Sequence, residues 1–325
     1  MAQPSAAVLA ASGISSSPQT LPVGRGLCFV AGGIVLKPSD DDAESQWVAQ
    51  LMTKMMQDLT SKAYRLPRPI TVANNPDSFV YDGWTASSLP LGHAGETIQF
   101  QHVLHVSRAF HPDIAKLGVS KPLFLTTIRN RSHEADLVTR GEKDLNDVAD
   151  VNAEVLSIFR GALDDLKSLE QPLPKDLASQ AIQGDLTGNV FFDSQSADPP
   201  GIIDMALYWQ PPEYAEAIVI TDGLAWHRQG RDLMEMLGVD GIRLQLLVRA
   251  LFRRCITFAI NSGMNFVRLR APRVDFRGAA RIVRTLIDEA KVASVNVEFV
   301  SRQSSLPRVG RRRRDSSQHG TLVNF

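Results

Sequence analysis

Cysteine is nearly missing: Cys28 and Cys255 are the two that 325 residues hold. Two thiols build neither a disulfide framework nor a Cys-based zinc site, and their scarcity points to a reduced, intracellular setting. An excess of charge of one sign is missing as well, since 35 Lys and Arg balance 35 Asp and Glu. That balance gives no general reason to expect nucleic acid or an anionic membrane as partner. No apolar run approaches the roughly 20 residues of a membrane span, so no membrane partner is expected. The Ala- and Ser-rich start carries only a short apolar piece, Ala6 to Ala11, with no Lys or Arg before it. A secretory signal needs a positive start and a longer apolar core, and the absence of Arg argues against a mitochondrial transit peptide, so neither is expected. The expected location is the cytoplasm. His102, His105, His111 and His133 show no ligand spacing, so no transition-metal site is expected.

What is there divides into a strand-rich part of about 90 residues and a mostly helical remainder. Leu27 to Val30 and Ile34 to Leu36 are β-prone and separated by the turn signal Gly32-Gly33. The acids Asp40 to Asp42 suit the positive end of a helix, and Trp47, Val48, Leu51, Met52 and Met55 follow at helical spacing, predicting a helix to about Leu59. Ile70 to Val72 and Phe79 to Tyr81 read as a hairpin around Asn74 to Asp77, followed by a polar connector. Val103, Val106, Phe110 and Ile114 mark a helix that Pro112 is expected to stop early. Val151 to Leu169, Pro212 to Trp226 and Ile242 to Ile260 read as further helices. The expected organisation is 1–18 as a flexible segment with a short helix, 19–90 as a small lobe, 91–300 as a helical lobe and 301–325 as a basic, disordered tail.

The stretch Gln183-Gly184-Asp185-Leu186-Thr187-Gly188-Asn189-Val190 puts an acid and an amide in a turn just before a strand. Ile202-Ile203-Asp204 puts a second acid at the end of the returning strand. Such a hairpin can bring Asp185, Asn189 and Asp204 together. Phosphoryl transfer needs those types: one carboxylate orients a hydroxyl and takes its proton, while an amide oxygen and a second carboxylate hold Mg²⁺. Taken singly, each is more simply a turn or cap residue. Lys37 ends a strand and reaches towards phosphates if an acid on the next helix fixes it, with Glu44 as that acid. Gly24-Arg25-Gly26 is by itself a simple turn; beside the other residues it reads as one in which Gly24 and Gly26 let backbone N–H groups approach a nucleotide.

In order and spacing these phrases resemble the aminoglycoside phosphotransferase and choline kinase superfamily. They are most similar to an uncharacterised subfamily known best from actinobacteria. The likeness is carried by Leu21 to Gly26, Val35-Leu36-Lys37-Pro38, Asp82-Gly83-Trp84-Thr85-Ala86, Gly184 to Val190, and Ile203-Asp204 followed by Tyr208-Trp209 and Pro211. It implies an α+β, bilobal protein kinase-like fold, with a small strand-rich N-lobe, a larger, mostly helical C-lobe, and ATP or GTP between them. It makes Asp185 the catalytic base, Asn189 and Asp204 the magnesium ligands, and Lys37 the phosphate-binding lysine. It places Gly83, Trp84 and Thr85 in the connector that meets the purine. The implied activity is transfer of phosphate to a hydroxyl of an unidentified small molecule. The alternative is a pseudokinase that keeps the fold as a nucleotide-binding or scaffold module. Gln183 stands where the family usually has His, and Met205-Ala206 follows Asp204 without a further acid.

Three other features have a plain and a sharper reading. Tyr208, Trp209, Tyr214 and Trp226 are core packing, or else walls for a flat or cationic acceptor. Asp222 is structural, or else the partner of a basic substrate. The arginines of the tail, Arg302, Arg308 and Arg311 to Arg314, are solvated, or else serve nuclear import or nucleic-acid contact.

Overall fold

A computed structural model describes residues 3–21, 28–89, 92–93, 98–127, 130–149, 151–193, 197–260 and 269–304, the last twelve of these as backbone. Gly24, Gly26 and the arginines beyond 304 lie outside the described residues.

The first helix, α1 (Ala6–Ala11), is capped by Ser5, whose side chain accepts from the Val8 N–H. It is part of the small lobe: Val8 and Ile14 are buried with Phe29, Ala31, Leu36 and Ala86 in one cluster. The lobe's antiparallel sheet runs β1 (Gln19–Thr20), β2 (Phe29–Ala31), β3 (Ile34–Pro38), β6 (Trp84–Ser88), β4 (Pro69–Ile70), with β5 (Val80–Tyr81) also on β6. The hairpin expected between 70–72 and 79–81 does not form. β4 pairs with Ser87 and Ala86, and β5 pairs with Thr85 and Trp84, so both lie along β6. Trp84 to Ser88 alternates enough apolar surface to serve as an inner strand, and an inner strand satisfies two rows of backbone groups. The Asp82-Gly83 turn, with φ of 50° and 71°, closes β5 onto β6 in the geometry that two-residue hairpins favour.

Between β3 and β4 runs α2 (Asp42–Asp58), whose cap Asp41 accepts from the Glu44 N–H. Its buried stripe, Leu51 and Met55, joins the core of the large lobe rather than that of the sheet. The large lobe packs α3 (Phe100–Lys116), α4 (Arg131–Thr139), α5 (Ala153–Leu169), α6 (Pro212–Ala225), α7 (Asp232–Leu237), α8 (Gly241–Ala259) and α9 (Phe276–Ser304) around one core. α3 continues through Pro112, with Phe110 and Ile114 fully buried on either side of it. Burial of that stripe outweighs the one backbone bond the ring removes. Two short hairpin-like pairs sit on this helical body: β7 (Gln180–Gln183) with β10 (Leu207–Gln210), and β8 (Val190–Phe191) with β9 (Gly201–Ile202). The small strand-rich lobe and the large helical one make the α+β, two-lobed architecture expected. Among the described residues no helix is long and apolar enough to cross a membrane.

Candidate active site

The two strand pairs of the large lobe are nested, and the nesting builds the site. β8 and β9 pair Val190 with Ile202, so the turn holding Asp185 and the turn holding Asp204 leave the same end of the pair. Outside it, β7 and β10 pair Gln183 with Leu207. The Ile203 N–H donates to the Asn189 carbonyl at 2.9 Å, and the Asn189 side-chain N–H donates to the Asp185 carbonyl at 2.7 Å. Asn189 Nδ2 also lies 3.5 Å from Asp185 Oδ2. With its nitrogen so engaged, Asn189 presents Oδ1 as its remaining ligand atom.

Gln183 ties the two turns together. Its fully buried side chain accepts from the N–H groups of Ala206 at 2.7 Å and Asp185 at 3.2 Å, and donates to the Asp204 carbonyl at 3.0 Å. An amide does this with one acceptor and one donor head, and so fills an architectural role between the turns. Asp204 itself adopts φ of 49°, a left-handed conformation that Asp tolerates better than most residues. That turn sends its half-exposed carboxylate to the Lys37 ammonium across the lobes. Burial works against the Lys37 charge, but the Asp204 carboxylate outweighs it and holds the ammonium above the ordinary lysine range.

The ion partner of Lys37 is therefore Asp204, where Glu44 was expected. Glu44 lies one turn into α2, close enough to feel the ammonium, but burial first and the Asp41 charge second push its carboxyl up to about 7. A carboxyl so disposed to keep its proton is a poor anchor for a cation. Gly83, Trp84 and Thr85 also stand elsewhere than expected. They form the β5–β6 turn and the strand beside β3, with Thr85 opposite Lys37 and Trp84 opposite Pro38. The Gly83 carbonyl accepts from Ser39, and Trp84 packs edge-on against Phe29 at 5.8 Å between ring centres. They brace the strand that carries Lys37. The connector between the lobes begins only after Ser88, and its His93 exchanges backbone hydrogen bonds with Phe192.

The sequence reading missed Arg254. It rises from α8 and its Nη2 donates to Asp185 Oδ1 at 2.8 Å and to Asp222 Oδ2 at 2.6 Å. Asp222 on α6 is thus held by the protein's own guanidinium and is buried with it. Burial opposes the charge on Arg254, but the carboxylates of Asp222 and Asp185 outweigh burial and push its pKa above the ordinary arginine range. A signal existed: Arg254 falls seven residues after Leu247, three after Leu251 and four before Phe258, on an otherwise apolar stripe. The aromatic residues resolve towards packing. Tyr208 and Tyr214 are buried, Tyr208 beneath the Arg253 guanidinium at 4.2 Å, and Trp226 packs at a tilt against Phe258 at 5.0 Å between ring centres.

His111, on α3, supports Gln183 from below. Its Nδ1–H donates to the Ser107 carbonyl at 2.9 Å, which leaves Nε2 to accept from the Gln183 N–H at 3.1 Å. Burial lowers its pKa to about 4. The unfolded ring takes up its proton near pH 6.5, the buried one only near 4, so this residue costs stability as pH falls through that interval. The loss should reach about 3 kcal/mol at pH 4. Urea unfolding of the wild type and of His111→Gln across pH 4 to 7 isolates it, since Glu44 titrates with the opposite sign in both proteins. A difference between the two curves that does not change with pH removes the assignment.

Among the described residues no group of three His, Cys, Asp or Glu side chains is placed to hold a metal unaided. The oxygen donors that are present, Asn189 Oδ1 and the Asp204 carboxylate, suit a hard cation that takes its other ligands from phosphate and water.

The whole arrangement can be set beside solved structures. One match is the AMP-bound complex of spectinomycin phosphotransferase APH(9)-Ia, at a TM-score of 0.53 and 14% identity, covering 85% of this chain and 95% of the other. Another is a thermostable mutant of aminoglycoside phosphotransferase APH(4)-Ia in a ternary complex with ADP and hygromycin B, at 0.53 and 13%, covering 85% and 96%. The chain has the aminoglycoside phosphotransferase fold. No family model matches it, and no curated protein does. The match covers nearly the whole of both neighbours, so the fold here has both lobes.

Proposed function

We propose that this protein transfers the terminal phosphate of ATP or GTP to a hydroxyl of a small metabolite. The observation that carries the reading is the meeting of Lys37, Asp185, Asn189 and Asp204 at one end of the nested strand pairs, tied by Gln183. Asp185, with its side chain 43% exposed, is the base: its carboxylate orients the acceptor hydroxyl and takes the proton as the new P–O bond forms. The bond from the terminal phosphorus to the bridging oxygen breaks, and the nucleoside diphosphate leaves with the electron pair. Asn189 and Asp204 would hold Mg²⁺, which would offset phosphate charge. Lys37, beside Asp204, would pair with the phosphates. One of these neighbours is bound to AMP and the other to ADP and hygromycin B, which supports a nucleotide in the cleft and a small-molecule acceptor.

The test is thermal-shift titration with ATP or GTP and Mg²⁺, followed by release of the diphosphate over a panel of hydroxylated metabolites. The melting temperature is expected to rise with nucleotide by the logarithm of its concentration over Kd, and at least one acceptor should raise diphosphate release well above the rate with water. Binding without release for any acceptor would make the protein a pseudokinase. Absence of binding would leave the fold without its nucleotide.

A further inference from the structure

We propose that Arg254 is the positioning residue of the base: it holds one oxygen of Asp185 and so presents the other to the acceptor. This rests on the reading of Asp185 as the base. Asp185 sits in a turn, and turn side chains have more freedom than a proton acceptor with a fixed direction can use. Its Oδ1 is bound by Arg254 Nη2 at 2.8 Å, which leaves Oδ2, 3.5 Å from the Asn189 amide, as the oxygen that the guanidinium does not hold. The same nitrogen is held more closely, at 2.6 Å, by Asp222. Asp222 and Arg254 are 6% and 16% exposed, against 43% for Asp185, so the anchor is buried and the held group is not.

The architecture of the anchor fits that role. Asp222 belongs to α6 and Arg254 to α8, and these are closely packed core helices whose other buried residues include Ile218, Leu247 and Leu251. The direction of the catalytic carboxylate is thus set by the rigid interior of the large lobe, not by its own turn. The charges favour it too. Two carboxylates share one guanidinium, which stays positive, so the base is partly neutralised without giving up its second oxygen. Arg254 touches neither Lys37 nor Asp204, so its effect falls on the acceptor side of the reaction.

The experiment uses the full-length protein with water as the acceptor, following ADP release from MgATP, and in parallel measures urea unfolding. Arg254→Met should lower kcat about 100-fold, the scale of a misplaced reacting group, with the KM for MgATP held within about twofold. Arg254→Lys should recover part of the loss. In the Asp185→Asn background Arg254→Met should cost no further rate. Arg254→Met leaves Asp222 buried without a counter-charge; where that protein fails to fold, the double variant R254M/D222N, which buries no lone charge, takes its place. The unfolding midpoints of Asp185→Asn, Arg254→Met and their combination should be non-additive. A wild-type kcat in the Arg254→Met protein, or a loss confined to KM, overturns the proposal. So does strict additivity of the unfolding midpoints. If the wild type releases no ADP at all, the function proposed for Asp185 fails, and the unfolding cycle still decides whether Arg254 holds that carboxylate.

Discussion

Replacing Asp185 with Asn is expected to reduce phosphate transfer by a factor of about 10² to 10⁴, the range in which a positioned proton acceptor contributes. Asn is close to isosteric and can still accept from Arg254 through its oxygen, so the turn keeps its shape. What is lost is the charge that draws the hydroxyl proton. Nucleotide affinity should stay within about twofold, because the proposed phosphate side of the site rests on Lys37 and on a cation held by Asn189 and Asp204, and neither Lys37 nor Asp204 bonds the Asp185 side chain. Stability should hardly change, since the carboxylate is 43% exposed and Asp222 keeps the guanidinium paired. The measurement is diphosphate release under single-turnover conditions beside a nucleotide titration of the same preparation. Unaltered release removes Asp185 as the base. A parallel fall in nucleotide affinity would place it instead among the groups that hold the phosphates.

The large features of this fold were legible because each is written in local sequence. The stripe at Leu51 and Met55, the runs around Val155 to Leu166 and the strand-turn-strand of Val190 to Ile202 each carry their own periodicity and punctuation. What misled was partner choice. The 70–72 and 79–81 runs look like each other's partners by proximity in the chain, yet both find Trp84 to Ser88, because an inner strand satisfies more backbone groups than a two-stranded pair does. Lys37 gives the same lesson among charges. Glu44 is seven residues away and Asp204 is 167, and the distant acid wins because the left-handed turn at Asp204 aims it across the lobes. Pro112 shows burial overruling a local rule, since Phe110 and Ile114 hold α3 together around the ring.

The candidate site was legible by residue type but not by connection. Asp185, Asn189 and Asp204 stand out as polar groups at strand ends. Arg254 and His111 do not, and Gln183 stands out only as a departure from the family's His, because their work is to satisfy or orient other groups, and such work depends on which segments meet in space. A buried Gln that bonds three segments and an arginine on an apolar helical stripe are visible only as exceptions to a pattern. The exceptions cluster beneath the two acidic turns. That clustering argues that the interior of the large lobe is organised around Asp185 and Asp204 rather than merely beside them.

The tightest point of that organisation is Gly184, and Gly184→Ala is expected to be the most destabilising single methyl in the site. A Cβ there would meet Tyr208 Cδ2 at 2.0 Å and Cε2 at 2.2 Å, well inside van der Waals contact. The ring has nowhere to go. Tyr208 is 5% exposed, lies beneath the Arg253 guanidinium with its centre 4.2 Å away, bonds it through the hydroxyl, and is paired with Ile182 across β7 and β10. The other way out is for the turn to lift, which breaks the Gly184 N–H bond to the Ala206 carbonyl at 2.9 Å and carries Asp185 with it. Either route should cost about 3 kcal/mol, the upper range for forcing a methyl into a packed interior. The choice between them is measurable. If the ring moves, the protein loses stability but keeps its rate; if the turn moves, both fall. Trimming the ring separates the clash from other causes: Tyr208→Ala should cost less in the Gly184→Ala protein than in the wild type, with a coupling of about 1 kcal/mol or more. Additive costs would mean that Tyr208 is not what excludes the methyl, and that the close approach of turn and ring is not what fixes the height of Asp185.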